Sequence, residues 1–109
     1  MPENSKPSEK PIALSRFIQY ADQAVVSKQL IKRKAGTVSL FAFDKGQSLS
    51  EHTAPFEAFV EIVDGAAEIV INHQSYTVKT GEFIILPANV PHAVNATEQF
   101  KMVIAMIKE

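Results

Sequence analysis

From residue 50 onward the chain reads as short apolar-rich runs, at 50–54, 58–63, 66–72, 75–79, 83–86, 92–96 and 100–107, each set off by turn-forming residues. Runs of this length, rich in β-branched and aromatic residues, are strands. A succession of them with little helix specifies an all-β sandwich or closed barrel rather than a parallel α/β fold. Upstream, Val38, Leu40 and Ala42 alternate with Thr37, Ser39, Phe41 and Phe43. Phe41 and Phe43 make that strand apolar on both faces, which predicts one face toward a barrel interior and the other toward a second sheet or subunit. Gly36, Gly46, Gly65 and Gly81 all fall between runs, where a turn can use their access to positive φ. Asn72-His73-Gln74 reads as the tip of a hairpin.

A chain of 109 residues makes one domain with one core. It has no Cys, so thiolate ligands, thiol nucleophiles and disulfides are excluded, and His, Asp, Glu, Lys, Tyr and Ser carry any chemistry. Eleven basic and twelve acidic side chains are interspersed to a net charge of −1, which gives no broad field for nucleic acid or an anionic membrane. The densest basic run, Lys32-Arg33-Lys34, reads as a solvated strand end. The N-terminus shows no basic-then-apolar leader, and no apolar run approaches the ~18 residues of a membrane span. A cytoplasmic protein with neither nucleic-acid nor membrane partner is the expectation. Residues 1–11 hold three of the six prolines and no aliphatic residue beyond Met1, which predicts a flexible tail before a single domain at 12–109. Leu14, Phe17, Ile18 and Ala21 recur at i, i+3, i+4, i+7, which predicts a short amphipathic helix or helical turn within 12–24.

Two stretches carry a more specific signal. Residues 46–65 read GQSLSEHTAPFEAFVEIVDG, and residues 81–96 read GEFIILPANVPHAVNA. They resemble the two motifs of the cupin superfamily, usually written G-x5-H-x-H-x3,4-E-x6-G and G-x5-P-x-G-x2-H-x3-N. In the first frame stand Gly46, His52, Ala54, Ala58 and Gly65, so two of its three ligand positions are alanine. In the second stand Gly81, Pro87, Asn89 at the glycine position, His92, and Ala96 at the asparagine position. Asparagine is the next residue after glycine to tolerate a left-handed backbone, so the Asn89 corner stays feasible. The resemblance implies a small double-stranded β-helix, or jelly-roll barrel, in which His52 and His92 point to one interior spot.

A first-row divalent metal wants three or four converging N or O donors. With Ala54 and Ala58 in ligand positions, His52 and His92 hold a metal weakly or not at all. Glu57 is the candidate third ligand, against which strand alternation argues unless the Pro55-Phe56 corner carries a bulge. No tightly bound cofactor is expected, with a weakly held divalent metal as the alternative. The reading favoured on the residues is a small-molecule binding module whose polar contacts are His52 and His92. Phe41, Phe43, Phe56, Met102 and Met106 are candidate wall residues, and for at least half of them plain core is the better account. Beside it stand a cupin enzyme, either a metal-dependent dioxygenase or an isomerase or lyase using His52 and His92, and a purely structural barrel. Two-faced strands near 26–31 and 41–43, together with the family's habit of pairing, imply a homodimer.

Overall fold

The computed structural model describes residues 10–109, so most of the tail expected at 1–11 lies outside the described residues. Eight strands follow in order: β1 (Val25–Arg33), β2 (Gly36–Phe43), β3 (Ser48–His52), β4 (Ala58–Ile71), β5 (Gln74–Lys79), β6 (Phe83–Leu86), β7 (His92–Asn95) and β8 (Phe100–Ile107). Every ladder is antiparallel. The chain is the all-β jelly roll that the motifs imply. Among the described residues no helix is long and apolar enough to cross a membrane.

Strand β4 joins the two sheets. Its first half lies between β8 and β6, in a sheet that continues through β2 to β1. Its second half lies between β7 and β5, and β3 adds to β7. The sequence suggested two strands divided by a turn at Gly65. The structure instead keeps one strand, with a bulge between Ile62 and Asp64. That extra residue shifts the alternation. Ala58, Val60 and Ile62 face the interior before the bulge, and Ala67 and Ile69 face it afterwards. Without the bulge the second half would turn its apolar side to solvent. Gly65 serves this crossing rather than a turn.

Gly36 also departs from expectation. It opens β2 opposite Ile107, where a Cβ would lie 2.6 Å from the Met106 carbonyl oxygen. Asn72 and His73 both take positive φ, 51° and 68°, which is what a two-residue hairpin between β4 and β5 requires.

Two apolar clusters form on opposite faces of β2. Phe43 stacks on Phe100 with ring centroids 4.5 Å apart, inside a core with Val60, Ile62, Ile69 and Met102. Leu40 and Ala42 face the other way, and with Val103 they pack under the fully buried Ile18. The second apolar face of β2 therefore meets the chain's own N-terminal segment. Of the short helix or helical turn expected there, the segment forms the turn, a 3-10 turn at Leu14–Arg16, and otherwise runs as a strap. The reason lies in its carbonyls. Lys101 Nζ donates to Ser15 O at 2.6 Å and Lys28 Nζ to Phe17 O at 2.7 Å, taking acceptors that a helix would use internally. Tyr20 closes the strap by donating to Asp64 Oδ2 at 2.6 Å. Burial first, and then this hydrogen bond to the carboxylate, push the phenol above its ordinary range.

Candidate functional site

His92 sits on β7 two residues before Val94, so both side chains point to the same face of the sheet. His52 ends β3, three residues after Leu49. Simple alternation would aim it away from Leu49. The β3–β7 pairing is bulged, however: Leu49 lies opposite Val94 and His52 opposite His92, three steps on one strand against two on the other. The inserted residue restores His52 to the inner side, where the two imidazole rings meet edge to face with centroids 4.4 Å apart. Ala54 and Phe56 on the connection after β3, and Ala58 at the start of β4, line the same space.

The result is a mostly enclosed cavity of about 80 Å³, lined by Leu49, Ala54, Phe56, Ala58, Leu86, Val94, Ile104 and Met106 around the two histidines. It lies where the motif positions hold alanine, and the volume that longer side chains would fill is open. Asn89 turns the chain beside it with φ 63° and donates its backbone N–H to the Ala54 carbonyl at 2.7 Å, so asparagine meets the left-handed requirement read from the motif. Two broader hollows, along Tyr76, Val78, Phe83 and Ile84 and along Tyr20, Asp44, Asp64 and Gln99, are open to solvent and lack histidine.

The hydrogen bonding of the histidines fixes their electronics. His52 Nδ1 lies 2.8 Å from the Ser50 carbonyl oxygen, and His92 Nδ1 lies 3.2 Å from that of Val90. The remaining nitrogens, Nε2 of each ring, are 3.2 Å apart. His92 is 7% exposed, whereas His52 is exposed at the mouth rather than being the interior residue expected. It ends a strand at the sheet edge with only β7 beside it. Burial lowers the His92 pKa from its usual value, the Val90 carbonyl opposes this, and nearby His52 adds to the lowering. The lowering favours the uncharged form of the His92 imidazole.

Of the wall residues anticipated from sequence, Phe56 and Met106 line the cavity. Phe41, Phe43 and Met102 belong to the inner core and do not line it. Glu57 is exposed and lies outside the lining. Leu49, Leu86, Val94 and Ile104 were not anticipated. Val94 and Ile104 were within reach of alternation from His92 and Met106, whereas Leu49 depended on the bulge. Among the described residues no three His, Cys, Asp or Glu side chains gather to hold a metal. The cavity offers two imidazole donors, which fall short of the three or four that hold a divalent ion tightly. The residues present do not fit a tightly held metal.

A family model described as a cupin domain matches residues 39–108. A conserved protein of unknown function from Streptococcus pyogenes is 34% identical, with a TM-score of 0.88 over 92% of this chain and 88% of that one. A cupin superfamily protein from Desulfitobacterium hafniense is 27% identical, with a TM-score of 0.89 over 94% of each chain. A cupin 2 conserved barrel domain protein from Leptotrichia buccalis is 37% identical, with a TM-score of 0.84 over 86% of this chain but 46% of its own. No curated protein matches the sequence.

Proposed function

Because this chain belongs to the cupin domain family, we propose that it is a barrel that binds a small molecule, with His52 and His92 as the polar contacts of the site. One observation carries the reading: two Nε2 atoms 3.2 Å apart converge on an enclosed, largely apolar cavity. Convergent polar groups in an apolar recess are the usual form of a small-molecule site. At about 80 Å³ the recess takes a head group or a few-atom ligand, with bulk left at the mouth beside His52 and Phe56. A thermal-shift screen of small polar fragments is expected to give hits that His92→Ala weakens roughly tenfold or more, since a buried group left unpaired costs ~1–3 kcal/mol. Hits that survive loss of both histidines would leave the barrel a structural one.

A second reading, an isomerase or lyase, is favoured by the same pair of nitrogens, because an uncharged imidazole in a pocket can take a proton from a bound substrate. A metal-dependent dioxygenase lacks its third donor and is not supported.

The chain is also proposed to work as a homodimer. The strap covers only part of the outer face of the β1–β2–β8–β4–β6 sheet. In register across that face stand Ile31, Val38, Ala105, Phe59 and Ile85, one from each strand. Phe83 stacks on Phe59 at 5.0 Å yet is 61% exposed, and Ile31 and Ile107 are 53% and 60% exposed. Charge differs between the two edges of this sheet: Lys28, Lys32 and Arg33 lie on β1, whereas Glu57, Glu61 and Glu82 lie at the β4–β6 side. Two copies packed face to face about a two-fold axis parallel to the strands would set each basic edge against an acidic one while burying the apolar row twice. Sedimentation is expected to give twice the 12.0 kDa chain mass, and Phe83→Glu to halve it. A monomer at micromolar concentration would end this proposal.

A further inference from the structure

The histidine pair also bears on which ligands the site can accept, provided the small-molecule reading above holds. A carbonyl oxygen has no hydrogen to give. Each Nδ1, facing Ser50 O at 2.8 Å or Val90 O at 3.2 Å, must therefore be the nitrogen that carries the N–H. In a neutral imidazole the other nitrogen is then bare. With both rings uncharged, both Nε2 atoms are bare acceptors 3.2 Å apart beside the cavity, the rings meeting edge to face; one added proton would bridge them as an N–H···N bond. Two acceptors that close repel unless a donor stands between or beside them.

The rest of the cavity supplies no such donor. Its walls are Leu49, Ala54, Ala58, Leu86, Val94 and Ile104, with Phe56 and Met106, none of which bears an O–H or N–H side chain. The unmet need must be answered from outside. We propose that, with both histidines uncharged, the cavity selects neutral molecules whose head presents hydrogen-bond donors, an alcohol O–H or an amide or amine N–H, and discriminates against carboxylates. A carboxylate would add further lone pairs to a site already crowded with them. It would also bring a charge into apolar surroundings without a donor to receive it. A head with two hydrogens on one atom, such as a primary amide, can reach both nitrogens at once.

Two measurements on the intact protein test this. At about pH 8, where model imidazole is neutral, the 15N shifts of the histidine rings distinguish a bare nitrogen from an N–H. His52 and His92 are expected to show bare Nε2, with His73 at the exposed hairpin tip as the internal reference. The same resonances are then followed during titration with isobutyramide, isobutanol and isobutyrate, which share one branched apolar body. The amide and the alcohol are expected to bind saturably and at least tenfold more tightly than the carboxylate, the amide more tightly than the alcohol.

If isobutyrate binds as well as the other two, the donor rule is wrong while the small-molecule site stands. If His92 proves to carry its hydrogen on Nε2, the pair satisfies itself and the rule is again overturned. If the bare nitrogens are found but none of the three compounds perturbs them, the binding reading fails and the rule falls with it.

Discussion

The double variant Ala54→His with Ala58→Glu is expected to bind zinc or nickel on the order of a thousandfold more tightly than the unaltered protein. Both alanines line the cavity that His52 and His92 face, so the new side chains enter the space where two Nε2 atoms already converge 3.2 Å apart. The donor count rises from two to four, the number a closed zinc site uses. Complete sites of that kind hold zinc with about 10–16 kcal/mol, so two further donors bring at least ~5 kcal/mol if each carries a comparable share. Calorimetric titration with zinc, in competition with a chelator of known affinity, measures the difference. Equally tight, stoichiometric binding by the unaltered chain would show that the donor set has been misassigned, and Glu57 would be the first residue to replace.

Gly65→Ala is expected to destabilise the fold by about 2–5 kcal/mol, from left-handed strain together with a forced backbone shift. Gly65 has φ 74°, and a Cβ built on it would lie 2.1 Å from the Gln99 carbonyl oxygen and 3.1 Å from the Phe100 Cα. Both neighbours are backbone at the start of β8, so no side-chain rotation relieves the clash. The position cannot move freely, because β4 passes from one sheet to the other there and both halves must keep their apolar residues inward. Urea denaturation should show a lower midpoint with an unchanged slope. A loss under ~1 kcal/mol would mean that the crossing is more compliant than its contacts imply.

The family and the fold were legible because they rest on residues that act locally. Turn chemistry at Gly46, Gly81 and Asn89 and the alternation along β2, β7 and β8 needed no knowledge of distant contacts. What the sequence hid was the bulges. One merges two apparent strands into β4 and gives Gly65 its task, and another returns His52 to the side of Leu49. A bulge changes the parity of every residue beyond it, and nothing in the local composition announces it. The motif positions of the cupin resemblance placed Ala54, Ala58 and His92 on the cavity, but parity could not supply Leu49 as a wall or show that His52 would sit exposed at the mouth.

The strap was hidden for a different reason. Leu14, Phe17 and Ile18 have helical spacing, but the lysines that take the strap's carbonyls come from β1 and β8, and Lys101 is 86 residues away from Ser15. The second apolar face of β2 was correctly anticipated. Its cover turned out to be a segment of the same chain at Ile18. The apolar surface on which the dimer is proposed lies farther along that sheet, at Phe59, Phe83 and Ile85.

The most direct test of the cavity as a ligand site is to fill it without touching either histidine. Ala54 is half-buried on the connection after β3 and lines the cavity, so Ala54→Leu places extra carbon atoms in the recess while leaving β4 and β7 unaltered. The measurement is an NMR titration of the best-binding fragment against this variant and the unaltered protein. Saturable shifts at His52 and His92 in the unaltered protein, lost in a variant that remains folded and at least as stable, are the expected result. Unchanged affinity in the filled variant would contradict the account, because the ligand would then be binding somewhere other than the cavity between the two histidines.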